Sequence, residues 1–120
     1  MLRTFYRGTF LIGLIAVIAL SVMPSALVPD IHVSDKLEHM AAYTALALVG
    51  GLAFRGRSAL WILPAALMLL GMGLEGVQAF VPGRTPSGYD MLANMIGIAL
   101  GSAAVISTNL IFRRRPRTFM

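Results

Sequence analysis

The side chains best suited to acid–base chemistry in this 120-residue chain lie in two short stretches, SDKLEHMAAY and GLEGVQAFVPGRTPSGYDMLAN. The first stretch contains Asp35 and His39, and the second contains Glu75. Imidazole and carboxyl groups are the side chains that most often act as general acids and bases. We therefore take Glu75, His39 and Asp35 as candidate catalytic residues, although the sequence leaves undecided whether the protein is an enzyme.

The same two stretches contain residues that could bind a ligand. A guanidinium or an ammonium group can hold a phosphate or a carboxylate, so Arg84 and Lys36 are predicted to contact an anionic group. The remaining candidates for ligand contacts are Tyr43, Gln78, Asp90 and Asn94.

Helical spacing predicts that these residues form stripes. Asp35, His39 and Tyr43 follow one another at intervals of four, and Glu75 lies one turn from Gln78. Another stripe contains Asp90, Asn94, Gly97 and Gly101, listed in chain order. The spacing of its two glycines is a small-xxx-small pattern, which lets the backbone of another helix approach closely.

Structural interpretations compete with the functional ones. The spacing of Asp35 and Glu38 resembles a capping box, and Asp90 could be a helix N-cap. Tyr43 is of a type common at membrane interfaces. Glu75 and Gln78 could pair with a neighbouring helix.

The elements that must position these residues are membrane helices. Hydrophobic residues make up 58% of the chain and charged residues 12%, which excludes an ordinary soluble protein. A spanning helix needs roughly 20 apolar residues. The apolar segments lie at about 8–29, 37–54, 58–81 and 91–112. The sequence therefore predicts an all-α membrane protein, a single domain of four transmembrane helices in a compact antiparallel bundle.

The positions of the basic residues predict the orientation. Eight of the ten lysines and arginines precede the first segment, separate the second from the third, or follow the fourth. Because such residues stay on the cytoplasmic side, both termini are expected in the cytoplasm and the chain in the inner membrane. The acids then lie toward the outer surface, where the polar stripes would meet. The basic C-terminal tail is expected to contact lipid, not nucleic acid.

Cofactor motifs are absent from the sequence. It contains no cysteine and neither a metal-ligand signature nor a phosphate-binding glycine loop. We therefore expect no metal or other cofactor.

The two stretches resemble the VanZ-like family of small membrane proteins over residues 35–101, whose namesake accompanies glycopeptide resistance. The similar motifs are D-K-x-x-H-x-x-x-Y, E-x-x-Q, G-R and D-x-x-x-N-x-x-G. They fall on Asp35, Lys36, His39, Tyr43, Glu75, Gln78, Arg84, Asp90, Asn94 and Gly97. The resemblance implies a protein of the bacterial cell envelope linked to teicoplanin tolerance, but it implies no particular reaction.

Two functional hypotheses follow. In the first, an outward-facing polar site binds a lipid-linked envelope precursor or another amphiphilic ligand within the membrane lipid. In the second, the polar residues are structural, and the protein is an accessory subunit or scaffold for envelope enzymes. The second hypothesis implies an envelope protein or a second copy of the chain as partner.

Overall fold

The structure, a computed structural model, describes residues 1–28, 34–54 and 56–114. These residues form an all-helical fold, as predicted, and contain no β-strand. The helices are α1 (Leu2–Val22), α2 (Asp35–Ala53), α3 (Arg57–Gln78) and α4 (Gly88–Arg114), and a 3-10 turn at Ser25–Leu27 follows α1.

Three of the four helices are long and apolar enough to cross a membrane. They are α1, α3 and the part of α4 from Gly88 to Leu110. Helix α2 is present near the predicted segment 37–54, but it is not among these three. Its first two turns contain Lys36, Glu38 and His39, which lower its mean hydropathy.

The helix ends differ from the predicted segment ends, most of all in α1, which was expected at 8–29. It begins at Leu2 because arginine is a good helix former, so Arg3 and Arg7 do not delay its start. It ends at Val22 because Pro24 disfavours helical geometry in the residue before it. Met23 accordingly has an extended backbone, with φ −74° and ψ 138°.

Helix α3 ends at Gln78, three residues before its predicted end at 81. A turn follows, in which Gly83 has φ 77°, a left-handed conformation that favours glycine. The other ends lie within three residues of the predictions. The position of this turn fixes where Glu75 and Gln78 stand, since both lie in the last turn of α3.

Neither of the two caps suggested by the sequence is formed. The N-cap of α2 is Ser34, whose Oγ accepts a hydrogen bond from Leu37 N at 3.2 Å, so the capping box at Asp35 was wrong. At the start of α4, Ser87 Oγ accepts a bond from Tyr89 N at 3.2 Å. Asp90 lies inside the first turn and is not the N-cap. Each serine precedes the predicted acidic cap and reaches the free amides first.

The most extensive helix packing is between α2 and α4, which are not consecutive. The two helices run parallel, since their contacts follow the same order along both. A Cβ atom on Gly97 would lie 2.5 Å from Met40 O, and one on Gly101 would lie 2.5 Å from Thr44 O. Only glycine therefore permits this backbone approach, as the small-xxx-small pattern predicted. The short connections had instead favoured packing between consecutive helices.

Contacts at the two ends of the bundle show the directions of the helices. At one end, Gln78 Nε2 donates to Ser21 O at 3.1 Å, so the C-terminal ends of α1 and α3 are neighbours. At the other end, the rings of Phe10 and Phe54 pack edge to face with centroids 5.6 Å apart. We call the end where α3 ends and α4 begins the loop end. The hydrophobic core contains Phe10, Tyr43, Leu46, Ala47, Leu67 and Ile98.

Candidate functional site

Three side chains from three helices converge at the loop end. His39 of α2, Glu75 of α3 and Asp90 of α4 each place a nitrogen or oxygen atom within 4.8 Å of the other two. We call these three residues the polar cluster. The sequence predicted that they share one depth, and the structure brings them into one group.

The two acids of the polar cluster are buried to an unusual degree. Asp90 is 7% exposed and Glu75 is 9% exposed, while His39 is half-buried. Two carboxylates within 4.8 Å of each other repel each other by at least about 3.5 kcal/mol at an effective dielectric constant of about 20, when both are charged. The fold thus holds two acids where repulsion and burial both oppose their charge.

Asn94 orients His39. Its Oδ1 lies 3.0 Å from His39 Nδ1, and the Asn94 side chain is fully buried. A carbonyl oxygen accepts hydrogen bonds, so Nδ1 carries a proton, and in a neutral imidazole Nε2 would keep its lone pair. Gly71 makes room for this arrangement, because a Cβ there would lie 2.9 Å from Asn94 Nδ2 and 3.4 Å from the Tyr43 hydroxyl.

Glu75 is held by the connection between α3 and α4. Its Oε2 accepts a hydrogen bond from Ser87 N at 3.2 Å. The same serine caps the first turn of α4 through its hydroxyl. One residue therefore fixes both the Glu75 carboxylate and the start of the helix that contains Asp90.

Lys36 supplies a positive charge at the edge of the polar cluster. Its Nζ lies 4.0 Å from Asp90 Oδ1 and 5.9 Å from the centroid of the Tyr89 ring. The Lys36 side chain is 55% exposed, so solvent screens this ion pair and its contribution to stability is small. The ammonium group is exposed, and its predicted contact with an anionic group stays a prediction.

Arg84 makes contacts that the sequence did not predict. It was expected to bind an anionic group, but its Nε donates to Met23 O at 3.1 Å and its Nη2 donates to Leu20 O. These carbonyl groups end α1 and have no partner within the helix. Gln78 also donates a hydrogen bond to a carbonyl group of α1, that of Ser21. Both side chains therefore bind the C-terminal end of α1 to the loop end.

Two further candidates are not members of the polar cluster. Tyr43 is 2% exposed and belongs to the core, so it is not an aromatic residue at the membrane interface. Asp35 begins α2, but its side chain lies outside the described part of the structure. The predicted contact between Asp35 and His39 therefore stays a prediction.

No motif in the sequence indicated that the polar cluster has the composition of a metal site. Its imidazole and two carboxylates are of the types that bind metal ions in proteins. The usual signal is a short spacing between ligands, which is missing here because each ligand comes from a different helix. The sequence indicated only that the three residues lie at the same depth in the membrane and could therefore be close together.

Comparison of the chain with protein-family models, with curated proteins and with solved structures finds no match. The resemblance to VanZ-like proteins gains no support from these comparisons. Arguments about function therefore depend on the geometry of the polar cluster.

Proposed function

We propose that the chain is a multi-pass inner-membrane protein of the bacterial cell envelope whose polar cluster binds the headgroup of a lipid-linked or other amphiphilic ligand. The observation that carries this proposal is the convergence of His39, Glu75 and Asp90 from three helices, with both acids at least nine-tenths buried. Ionisable groups inside membrane bundles are costly and are usually kept for function.

Four membrane crossings are part of this proposal. Helices α1 and α3 run in the same direction, since Ser21 and Gln78 at their C-terminal ends are hydrogen-bonded. The chain must therefore cross back through the membrane between α1 and α3, and α2 is the helix that lies there in the sequence. Its 19 residues extend about 28 Å, close to the thickness of the hydrocarbon core at about 30 Å. It packs against α1, α3 and α4, and its residue His39 is bonded to the buried Asn94 of α4.

The exposed surface supports placement in lipid. Large apolar side chains are exposed along α1, α3 and α4, and among them Ile12, Trp61 and Leu69 are each more than half exposed. Exposure of many large apolar side chains favours contact with lipid or with another protein. The basic residues would place both termini in the cytoplasm and the loop end outside. Part of this charge pattern, Arg55 and residues 115–120, lies outside the described residues.

The chemistry of the polar cluster suggests the class of headgroup. Carboxylates at Glu75 and Asp90 accept hydrogen bonds, so they suit hydroxyl or amine groups. The exposed ammonium of Lys36 suits a phosphate. A lipid-linked sugar phosphate has both kinds of group, and its acyl or isoprenoid chain would lie along the apolar helices. Because the motif residues resemble those of VanZ-like proteins, tolerance to teicoplanin is the cellular phenotype that we propose to examine.

A structural role is the second candidate, and two contacts favour it. Gln78 and Arg84 are polar residues at the loop end, and both bind backbone carbonyl groups of α1. If the polar cluster had the same purpose, the protein would be an accessory subunit or scaffold that binds an envelope enzyme or a second copy of itself. The two candidates differ in what removal of one acid should do.

Binding of defined lipids tests the first candidate. The protein, in lipid nanodiscs, would be titrated with an undecaprenyl-linked sugar phosphate and with phosphatidylglycerol. Loss of a hydrogen bond to a charged group costs about 1.5–3 kcal/mol, so Glu75→Gln should weaken binding at least about tenfold. Glu38→Gln, a half-buried acid beside His39 on α2, is the matched control and should bind as the wild type does.

Wild-type affinity in both variants would contradict the proposal. In cells that depend on the protein, the same Glu75→Gln variant should lower tolerance to teicoplanin, while Glu38→Gln should leave it unchanged. Equal tolerance in both variants would remove the VanZ-like part of the proposal.

A further inference from the structure

We propose that the polar cluster binds a divalent transition-metal ion, with zinc as the first candidate. This inference goes beyond the binding of a headgroup and does not depend on it, because a metal ion could bind whether or not a lipid does. The argument begins with the types of ligand atom and their separation.

The three ligand atoms are close enough to surround one ion. Zinc binds histidine nitrogen at about 2.0–2.1 Å and carboxylate oxygen at about 2.0–2.2 Å, so the ligand atoms of a tetrahedral site lie roughly 3.3 Å apart. The atoms of His39, Glu75 and Asp90 lie within 4.8 Å of one another. Small rotations of side chains would close this difference without movement of the helices.

His39 is already oriented as histidine ligands usually are. A metal-binding imidazole normally donates its other N–H group to an oxygen of the protein. Asn94 Oδ1 fulfils this role at 3.0 Å from His39 Nδ1. The lone pair of Nε2 then remains for the ion. Because Asn94 is fully buried and packs against Gly71, the imidazole is held in place before any ion arrives.

Glu75 has the same kind of support. Its Oε2 accepts a hydrogen bond from Ser87 N at 3.2 Å, which leaves Oε1 for a metal ion. Carboxylate ligands are commonly hydrogen-bonded in this way by the residues behind them. Two of the three ligands thus have an orienting partner among the described residues.

Charge provides an independent reason for a divalent ion. Glu75 and Asp90 are both at least nine-tenths buried, and the ammonium of Lys36 lies 4.0 Å from Asp90 on an exposed side chain. Among the described residues, Lys36 supplies one charge for two acids, since His39 must be neutral to bind a metal ion. A divalent cation between them would neutralise both charges and remove their mutual repulsion.

The mixture of ligands decides which class of metal fits. Magnesium and calcium prefer oxygen ligands alone, whereas an imidazole favours zinc and other transition metals. Three protein ligands leave a fourth position open on a tetrahedral ion, as in catalytic zinc sites. Water or an oxygen atom of a headgroup could occupy that position.

Metal content and cobalt absorption test this inference. Untagged protein in detergent would be stripped with chelator, incubated with Zn²⁺, freed of excess metal and analysed by plasma mass spectrometry. We expect about one zinc per chain for the wild type and for Glu38→Gln. His39→Gln and Asp90→Asn should each lose most of the bound zinc, while circular dichroism shows unchanged helix content.

Two further readouts do not depend on loss of a ligand. Co²⁺ added to the wild-type protein should give the visible absorption of a tetrahedral site, and equimolar Zn²⁺ should abolish it. Asn94→Ala keeps all three ligands but should weaken zinc binding by about 10–100-fold, the usual effect of removing a supporting hydrogen bond.

A wild-type protein that retains no zinc above a detergent blank and shows no cobalt absorption would overturn the inference. If the wild type binds zinc but His39→Gln and Asp90→Asn retain as much zinc as the wild type, the inference is also overturned. Neither outcome tests whether the polar cluster binds a lipid headgroup, because lipid binding is measured separately in metal-free buffer. Loss of lipid binding with zinc retained would instead count against the proposed function alone.

Discussion

His39 and Asn94 lie 55 positions apart in the sequence, yet they are joined by a hydrogen bond of 3.0 Å between Nδ1 and Oδ1. This bond connects α2 to α4 next to the polar cluster. It fixes the tautomer of the imidazole and its direction at the same time. Asn94 is therefore a positioning residue, because it acts on a ligand or metal through His39.

Replacement of Asn94 should separate the role of its oxygen from that of its volume. Asn94→Ala removes the acceptor and leaves a buried gap, so we expect a loss of about 1–3 kcal/mol in the free energy of unfolding and weaker headgroup binding. Asn94→Asp keeps an acceptor for Nδ1 and should recover part of the binding. Thermal unfolding and lipid titration of both variants measure this, and equal binding by the two would contradict the positioning role.

Gly97 controls the approach of α2 to α4. A Cβ atom there would meet the backbone at Met40 O, 2.5 Å away, and at Thr44 N, 3.1 Å away. Backbone atoms cannot move aside as a side chain can, so the helices must separate. We expect Gly97→Ala to lower the free energy of unfolding by about 1–3 kcal/mol, as overpacking usually does. Thermal or detergent-induced unfolding would measure it.

Gly73 offers the control for this substitution. It lies on α3, and a Cβ atom there would meet nothing within 4 Å. Because alanine is a better helix former than glycine, Gly73→Ala should leave stability unchanged or raise it by up to about 1 kcal/mol. Equal stability of the Gly97→Ala and Gly73→Ala proteins would show that the two helices do not pack through Gly97.

Arg84 is predicted to affect stability more than ligand binding. Arg84→Ala would leave the carbonyl groups of Leu20 and Met23 without their donor, at a cost of about 1.5–3 kcal/mol for a charged hydrogen-bond group. Arg84→Lys should restore only part of this, since one ammonium cannot reproduce the planar fork of two donors. Unfolding curves and lipid titrations would be compared. Lower affinity with unchanged stability would restore the original expectation that Arg84 contacts the ligand.

The proposed orientation can be measured directly because the chain has no cysteine. A single cysteine at Thr85, which is exposed in the loop between α3 and α4, should react with an impermeant maleimide in spheroplasts. A cysteine at Ser58, exposed at the opposite end of α3, should react only after the membrane is opened. The reverse pattern would place the loop end in the cytoplasm.

The sequence predicted the helices well because long apolar runs are a strong signal. It also predicted the stripe of Asp90, Asn94, Gly97 and Gly101, since the helical period alone decides which residues share a face. The close packing at both glycines confirms that part of the prediction. Helix ends were less certain, because hydropathy marks where the chain enters lipid and not where helical hydrogen bonding stops.

Contacts between helices could not be predicted in the same way. The rotation of each helix about its axis decides whether His39, Glu75 and Asp90 meet, and no local spacing encodes that rotation. The hydrogen bonds from Arg84 to α1 could not be predicted either, since their acceptors are backbone carbonyl groups, which every residue has. The acidic caps failed for a local reason, because Ser34 and Ser87 satisfied the helix amides first.

The central claim is that the polar cluster is a binding site and not a support for the fold. The most direct measurement compares melting temperature, taken in the presence of chelator, with lipid affinity for Glu75→Gln and Asp90→Asn. Each substitution removes one of two buried acids that repel each other, so we predict a melting temperature equal to or above that of the wild type, with affinity reduced at least about tenfold. A fall in melting temperature together with affinity would contradict the claim and make the cluster part of the scaffold.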